Sequence, residues 1–258
     1  MDLGIKGRVA IVTGGSRGLG RQAALALARE GCRTVICARG EERLRATAQE
    51  LRGLGAEVVA VPADVTQEED ARRLYQAAVD AFGQVDILVN NVGGSRGPAG
   101  VELSPEGLLR HVMELNLFSA VRLIHLALPG MQQRRWGRII NIASIYGREH
   151  GGSRAYMTAK AALIAFTKHL ALELAPHGVL VNSVAPGSIR FPGGTWDRYV
   201  QSNPPEVVNE FIARNLPMGR FGWPEPVGEL VAFLASDRAD LITGACINVD
   251  GGQSHSLI

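Results

Sequence analysis

Short, continuously apolar segments alternate along the chain with longer segments whose apolar residues recur every three or four positions. The strand-like segments are Val9 to Val12, Thr34 to Cys37, Val58 to Val61, Ile87 to Val89, Ile139 to Ile142, Leu180 to Val184 and Ala245 to Val249. Most are apolar at successive positions, the pattern of parallel strands covered on both faces, whereas half-exposed antiparallel strands alternate. Helical spacing marks Arg21 to Glu30, Glu41 to Leu54, Glu68 to Phe82, Pro105 to Leu128, Ala155 to Ala175 and Glu225 to Ala235. Repeated βα units of this kind predict an α/β fold, a doubly wound parallel sheet of seven strands in one domain over 1–258. The stretch Ser188 to Met218 breaks the alternation with four prolines, Gly193-Gly194 and an amphipathic piece near Val207 to Leu216. Long irregular segments in compact domains are often lids, and a substrate lid is expected around 188–218.

Composition narrows the partner. The 258 residues can bury one sizeable core, and 27 basic against 25 acidic side chains leave a net charge of only +2. That balance argues against nucleic acid or a membrane surface and for a small molecule. No apolar run approaches the ~18 residues of a membrane span, and MDLGIKGR lacks the apolar core of a signal peptide. Cys32, Cys37 and Cys246 are odd in number and widely spaced, so neither a disulfide framework nor a metal site is expected, and a cytoplasmic location fits.

Directly after the first strand comes Thr13-Gly14-Gly15-Ser16-Arg17-Gly18-Leu19-Gly20, leading into an alanine-rich helix. In that context the glycines let backbone approach a pyrophosphate while the amides at the helix start meet its charge, as in a Rossmann-type dinucleotide site. A purely structural strand-to-helix turn is the other reading. NAD sites carry an acid about 20 residues on, at the ribose 2′-hydroxyl, whereas the second strand here ends Cys37-Ala38-Arg39. Arg17 and Arg39 are suited to a 2′-phosphate, so the expected cofactor is NADP(H); the alternative leaves both arginines as solvated surface groups.

Tyr156-Met157-Thr158-Ala159-Lys160 opens a helical stretch and places phenol and ammonium on one face, four residues apart. A phenol titrates near 10, and a fixed cation beside it, with the positive oxidised nicotinamide, favours phenolate and makes it a usable acid and base. With 4 tyrosines, and with lysine only at positions 6, 160 and 168 of 258, chance alone yields roughly 0.05 such pairs. Arginine supplies nearly all other positive charge, yet the tunable amine stands here.

Taken in order, these motifs make the chain resemble the short-chain dehydrogenase/reductase family from Gly7 to Gly252, closest in pattern to bacterial 3-oxoacyl-[acyl-carrier-protein] reductases. The resemblance rests on Thr13 to Gly20, Asp64, Asn90-Asn91-Val92-Gly93, Asn116, Ser144, Tyr156 with Lys160, Pro186-Gly187 and Asn248-Val249-Asp250-Gly251-Gly252. It implies that Ser144 holds the substrate oxygen beside Tyr156, which transfers the proton as a hydride moves. It implies too that Lys160 binds the nicotinamide ribose and that Asn116 holds a water linking the lysine to solvent. Asp64 and Val65 would border the adenine, Asn91 and Gly93 the adenosine ribose, and Pro186, Gly187 and Ile189 the nicotinamide. Gly14, Ser16, Arg17, Gly18, Leu19, Gly20 and Arg39 would complete the cofactor site. A homo-oligomer, tetramer or dimer, is implied as well.

Three departures from the family pattern stand out: Val92 where alanine is usual, twelve residues from Ser144 to Tyr156 where thirteen are common, and Phe191 in place of a threonine. Phe191 offers the cofactor no hydroxyl, so Ser188 or Thr195 is expected to supply one instead. Arg135 and His177 occupy the positions of basic carrier-docking residues. The substrate pocket is expected between Arg148, Glu149, His150 and Arg154 on one side and Arg190, Phe191 and Trp196 on the other. The function expected is NADP(H)-dependent interconversion of a ketone, 3-oxoacyl or small carbonyl, with a secondary alcohol. A sugar or polyol dehydrogenase is the alternative, and a non-catalytic cofactor-binding protein the third reading, against which the intact proton-handling set argues.

Overall fold

In the computed structural model, residues 2–95 and 103–257 are described. The span 1–258 expected for the domain therefore includes residues 1, 96–102 and 258, which lie outside them. The seven strands are β1 (Val9–Thr13), β2 (Arg33–Ala38), β3 (Val58–Pro62), β4 (Ile87–Asn90), β5 (Gly137–Ile142), β6 (Val179–Pro186) and β7 (Cys246–Val249). They form one sheet in the order β3-β2-β1-β4-β5-β6-β7 with every pairing parallel. The continuous apolar runs are explained by two cores. Ala10, Val12, Ile36, Ile87, Val89, Ile140, Ile142 and Val184 face one of them, while Ile11, Val35, Cys37, Leu88, Ile139, Val179 and Val181 face the other. With both faces of the sheet buried, no strand can alternate polar with apolar.

One layer contains α1 (Gly18–Arg29), α2 (Glu41–Gly53) and α9 (Glu225–Leu234); the other contains α3 (Glu68–Phe82), α5 (Ser119–Arg134) and α6 (Arg154–Leu174). The alanine-rich face of α1 allows close approach of α9, where a Cβ on Gly228 would lie 2.6 Å from the carbonyl oxygen of Gln22.

Three expected elements differ. First, α1 begins at Gly18, so the last glycines of the loop form its first turn. Second, the helix expected to stop at Leu128 runs on: α4 (Pro105–Met113) passes through a π-helical turn at Glu114–Phe118 into α5, which continues beyond Pro129 to Arg134. Pro129 and His125, whose carbonyl loses its helical partner, both lie on the exposed side, while Met131 is anchored in the core. By length and composition this 30-residue run could cross a membrane, although no uninterrupted apolar stretch marks it. Its Leu123, Ile124, Ala127 and Met131 are instead buried against the sheet. Third, the segment 188–218 is largely helical, with α7 (Thr195–Ser202) and α8 (Pro205–Asn215). Trp196 clusters there with Tyr199, Phe211 and Phe221, ring centroids 5.6, 4.7 and 5.4 Å away, giving the segment a small aromatic core of its own.

Candidate functional site

A cleft of about 810 Å³ runs along the carboxyl ends of the strands, crossing the point between β1 and β4 where the strand order reverses. Open α/β sheets bind ligands at such a crevice, because loops diverge there and helix N-termini point into it. Of the residues singled out in the sequence, Gly14, Ser16, Arg17, Leu19, Arg39, Asp64 and Val65 line one end; Asn91, Gly93, Ser144, Tyr156, Lys160, Pro186, Gly187 and Ile189 line the rest. Gly18, Gly20 and Asn116 lie just behind the surface and shape it.

At the glycine loop, Gly14 and Gly18 have φ of 65° and 55°, the left-handed region that side chains disfavour. A Cβ on Gly14 would lie 2.8 Å from Asn91 Nδ2, and one on Gly20 would overlap both that atom and the Gly14 carbonyl. Asn91 explains the crowding: its side-chain amide donates to the carbonyls of Thr13 (2.8 Å) and Gly14 (3.4 Å), and its backbone N–H to Thr13 Oγ1 (2.9 Å). Asn91 therefore fixes the loop shape as well as facing the cleft. Phe191 lies over the same loop, with ring carbons 2.6–2.8 Å from where a Cβ on Gly18 would be.

The end of β2 is basic. Arg39 lies 3.8 Å from Asp64, whose carboxylate also accepts from the Thr66 N–H and hydroxyl. Arg17 donates to the carbonyl of Gly193 (3.2 Å), and its pKa is lowered by burial and then by the nearby charges of Arg43, Arg198 and Arg39. Arg43, not singled out in the sequence, lines the cleft without an ion-pair partner among the described residues. A usable signal was its spacing, one helical turn after Arg39 and on the side of α2 that faces the loop.

At the other end, Ser153 caps α6 by accepting from the N–H of Tyr156 (3.3 Å), so the helix start itself fixes Tyr156 and, one turn on, Lys160. The Ser144 side chain hydrogen-bonds the Tyr156 phenol, and Ser144 Oγ also accepts from the Tyr146 N–H at 3.2 Å. Lys160 is buried; its Nζ donates to the carbonyl of Ile142 (2.7 Å) and lies 5.7 Å from the Tyr156 ring centroid. Burial pushes the Lys160 amine down to about 7 and pushes the Tyr156 phenol up, with the Ser144 hydrogen bond acting against the rise. The sequence-based expectation counted on the lysine together with the positive oxidised nicotinamide. From the protein's own groups desolvation dominates, the amine being engaged with a backbone carbonyl and itself depressed.

Asn116 lies in the π-helical turn, a distortion common at functional sites. Its side chain donates to the carbonyls of Gly94 and Val112 (both 2.8 Å) and accepts from the Gly94 N–H (3.1 Å), clamping the turn after β4. Behind it, Asn90, Asn141, Thr167 and Ser183 form a buried hydrogen-bonded chain of 2.9–3.0 Å links joining β4, β5, α6 and β6.

The charged walls expected for the substrate pocket are not there. Arg148 donates to the Cys246 carbonyl (2.7 Å) and Asn248 Oδ1 (2.8 Å), while Glu149 accepts from the Ser254 hydroxyl (2.9 Å) and from the N–H groups of His255 (2.8 Å) and Ser256 (2.9 Å). Arg190 is paired with Asp197 at 3.1 Å. These groups anchor the loop and the lid to their neighbours. Among the described residues, the wall near Tyr156 is made by Val92, Leu115, Tyr146, Gly152, Phe191, Thr195 and Trp196, with no charged side chain beside Lys160. Of the two hydroxyls expected to stand in for the threonine that Phe191 replaces, Ser188 is taken up by Gln253, to which it is joined at 2.7 and 2.9 Å; Thr195 remains at the cleft. Arg135 and His177 lie just before β5 and β6, at the end of the sheet opposite the cleft, and Arg135 donates to the Pro176 carbonyl (2.9 Å).

The model of the short chain dehydrogenase family matches residues 8–197. A putative ketoacyl reductase of Streptomyces coelicolor is 40% identical over 95% of this chain and 96% of its own. The 3-oxoacyl-[acyl-carrier-protein] reductase FabG of Aquifex aeolicus is 37% identical over 98% and 100%. Among solved structures, L-sorbose reductase from Gluconobacter frateurii, complexed with NADPH and L-sorbose, superposes with a TM-score of 0.91 at 34% identity over the whole of both chains. A variant of actinorhodin polyketide ketoreductase with NADPH gives 0.88 at 38% identity, covering 96% and 98%. A 7α-hydroxysteroid dehydrogenase complexed with NADH gives 0.88 at 29% identity, covering 100% and 98%. With its parallel seven-stranded sheet, glycine loop and Tyr156/Lys160 pair, the chain belongs to the short chain dehydrogenase family of oxidoreductases.

Proposed function

We propose that this protein is an NADP(H)-dependent reductase or dehydrogenase that interconverts a small or 3-oxoacyl ketone with a secondary alcohol. The observation that carries this reading is one cleft with a glycine loop and three arginines at one end and the hydrogen-bonded Ser144/Tyr156 pair over Lys160 at the other. The donor set fits the cofactor. Gly14 and Gly18 supply the left-handed backbone that shapes the loop, the amides at the start of α1 suit a pyrophosphate, and the end of β2 offers arginine where a 2′-hydroxyl would require an acid. Arg17, Arg39 and Arg43 would hold the 2′-phosphate, Asp64 and Val65 border the adenine, and Pro186, Gly187 and Ile189 flank the nicotinamide. When bound there, the nicotinamide supplies or accepts the hydride.

The residues of the chain manage the oxygen. Ser144 and Tyr156 hold it by their hydroxyls, and in reduction Tyr156 gives its proton as the carbonyl oxygen becomes an alcohol oxygen, taking it back in oxidation. Lys160, fixed by Ile142, stabilises the phenolate left behind, and Asn116 keeps the Gly93-Gly94 turn in place beside it. The segment with α7 and α8 closes the cleft. Assembly into a dimer or tetramer is supported by exposed apolar residues on neighbouring helices: Leu109 on α4, Phe118 in the π-helical turn and Leu172 on α6.

The test is NADPH consumption with a panel of ketones, oxoacyl thioesters and ketoses. Tyr156→Phe is expected to lower kcat by about 10²–10⁴ while still binding NADPH by fluorescence titration. A wild type that prefers NADH, or a variant as active as wild type, overturns the reading.

A further inference from the structure

The catalytic end of the cleft holds a second phenol that the proton transfer does not use. Tyr146 lies in the 3-10 turn Ile145–Gly147, two residues after Ser144, and lines the cleft. Because its N–H donates to Ser144 Oγ, the turn that places Ser144 also places Tyr146. Its ring rests on Gly151 and Gly152. Any side chain on Gly151 would overlap it, and a Cβ on Gly152 would lie 3.0 Å from Tyr146 Cδ2 and 3.7 Å from Tyr156 Cδ1. The two tyrosine rings thus flank a single glycine.

The Tyr146 hydroxyl has no hydrogen-bond partner among the described residues, although half-buried phenols normally find one. What it faces is selective. Arg148, Glu149 and Arg190 are committed to β7, the C-terminal tail and Asp197, so among the described residues an anionic substituent finds no uncommitted counter-ion on this wall. An uncharged oxygen finds a phenol.

We propose that Tyr146 is a specificity-determining residue whose hydroxyl binds a second, uncharged oxygen of the substrate, one or two carbons from the reacting carbonyl. Substrates with that oxygen, 3-oxo esters and thioesters or hydroxy ketones, are favoured over plain ketones of the same length. The closeness follows from the shared glycine, which brings both tyrosine rings to one end of the cleft. This inference rests on the ketone reading above and adds the residue that selects among its substrates.

The experiment compares matched carbonyls, ethyl acetoacetate against 2-heptanone and hydroxyacetone against butanone, by NADPH oxidation with wild type, Tyr146→Phe and Tyr146→Leu. Wild type is expected to favour the oxygen-bearing member of each pair at least tenfold in kcat/KM, chiefly through KM. Tyr146→Phe, which keeps the ring on the glycines, is expected to erase most of that ratio, with melting temperature and NADPH titration confirming a folded, cofactor-competent protein. A wild-type ratio near one overturns the proposal without any variant, as does a ratio unchanged in Tyr146→Phe. If wild type turns over the plain ketones without preference, only this inference fails; if it turns over no carbonyl, both readings fall.

Discussion

Lys160 Nζ donates to the carbonyl oxygen of Ile142 across 2.7 Å, in a pocket so dry that the amine titrates near 7 in place of its usual 10.5. An unfolded lysine stays protonated until about pH 10, so between pH 7 and 10 the unfolded chain binds the extra proton, and stability declines as pH falls from 10 to 7 and flattens below it. Below pH 7 the amine is charged in both states and the full burial penalty stands. Without cofactor, Lys160→Met is therefore expected to be more stable than wild type at pH 6–7, by about 1–4 kcal/mol, and inactive. Its stability should also change less between pH 7 and 10. Urea denaturation followed by circular dichroism at several pH values checks this, and a wild-type stability no more pH-dependent than the variant's across that range refutes it.

The arginines at the end of β2 are expected to act on cofactor choice. Arg39 is largely exposed and Arg43 is exposed as well, so each contributes through charge-assisted hydrogen bonds that salt weakens. Arg39→Ala and Arg43→Ala should each weaken NADPH binding about 3- to 30-fold and NADH binding little, with the loss shrinking at high ionic strength. Fluorescence titration at two salt concentrations reads both effects. Equal losses for the two dinucleotides would place the arginines away from the 2′-phosphate.

What could be read in the sequence follows from which forces are local. The strands were legible because both faces of the sheet are buried, leaving runs such as Val9 to Val12 apolar throughout. Tyr156 and Lys160 were legible because helix spacing alone puts them together. The charged loop was misjudged because the partners of Arg148 and Glu149 lie about a hundred residues away, at Asn248 and Ser254, and residue type does not reveal a distant partner. The helix through Pro129 was missed because a proline on the exposed side sacrifices only a bond that solvent can replace. Tyr146 was missed because its meaning depends on Gly151 and Gly152 letting its ring settle beside Tyr156.

Gly93 is expected to be irreplaceable for reasons of space. A Cβ there would lie 2.7 Å from Asn116 Oδ1 and 3.1 Å from Lys160 Nζ. Neither neighbour can yield cheaply, since Asn116 makes three hydrogen bonds to Gly94 and Val112 and Lys160 is fixed to Ile142. Gly93→Ala should thus cost about 1–3 kcal/mol of stability and, by shifting the lysine under Tyr156, reduce kcat about 10- to 100-fold. The cause can be isolated by adding Asn116→Ala, which empties the space the new methyl needs. The double variant should then lose less stability than the two single losses combined, by about 0.5–3 kcal/mol. Strict additivity would show that the added methyl is accommodated elsewhere and that the turn after β4 does not press on the lysine.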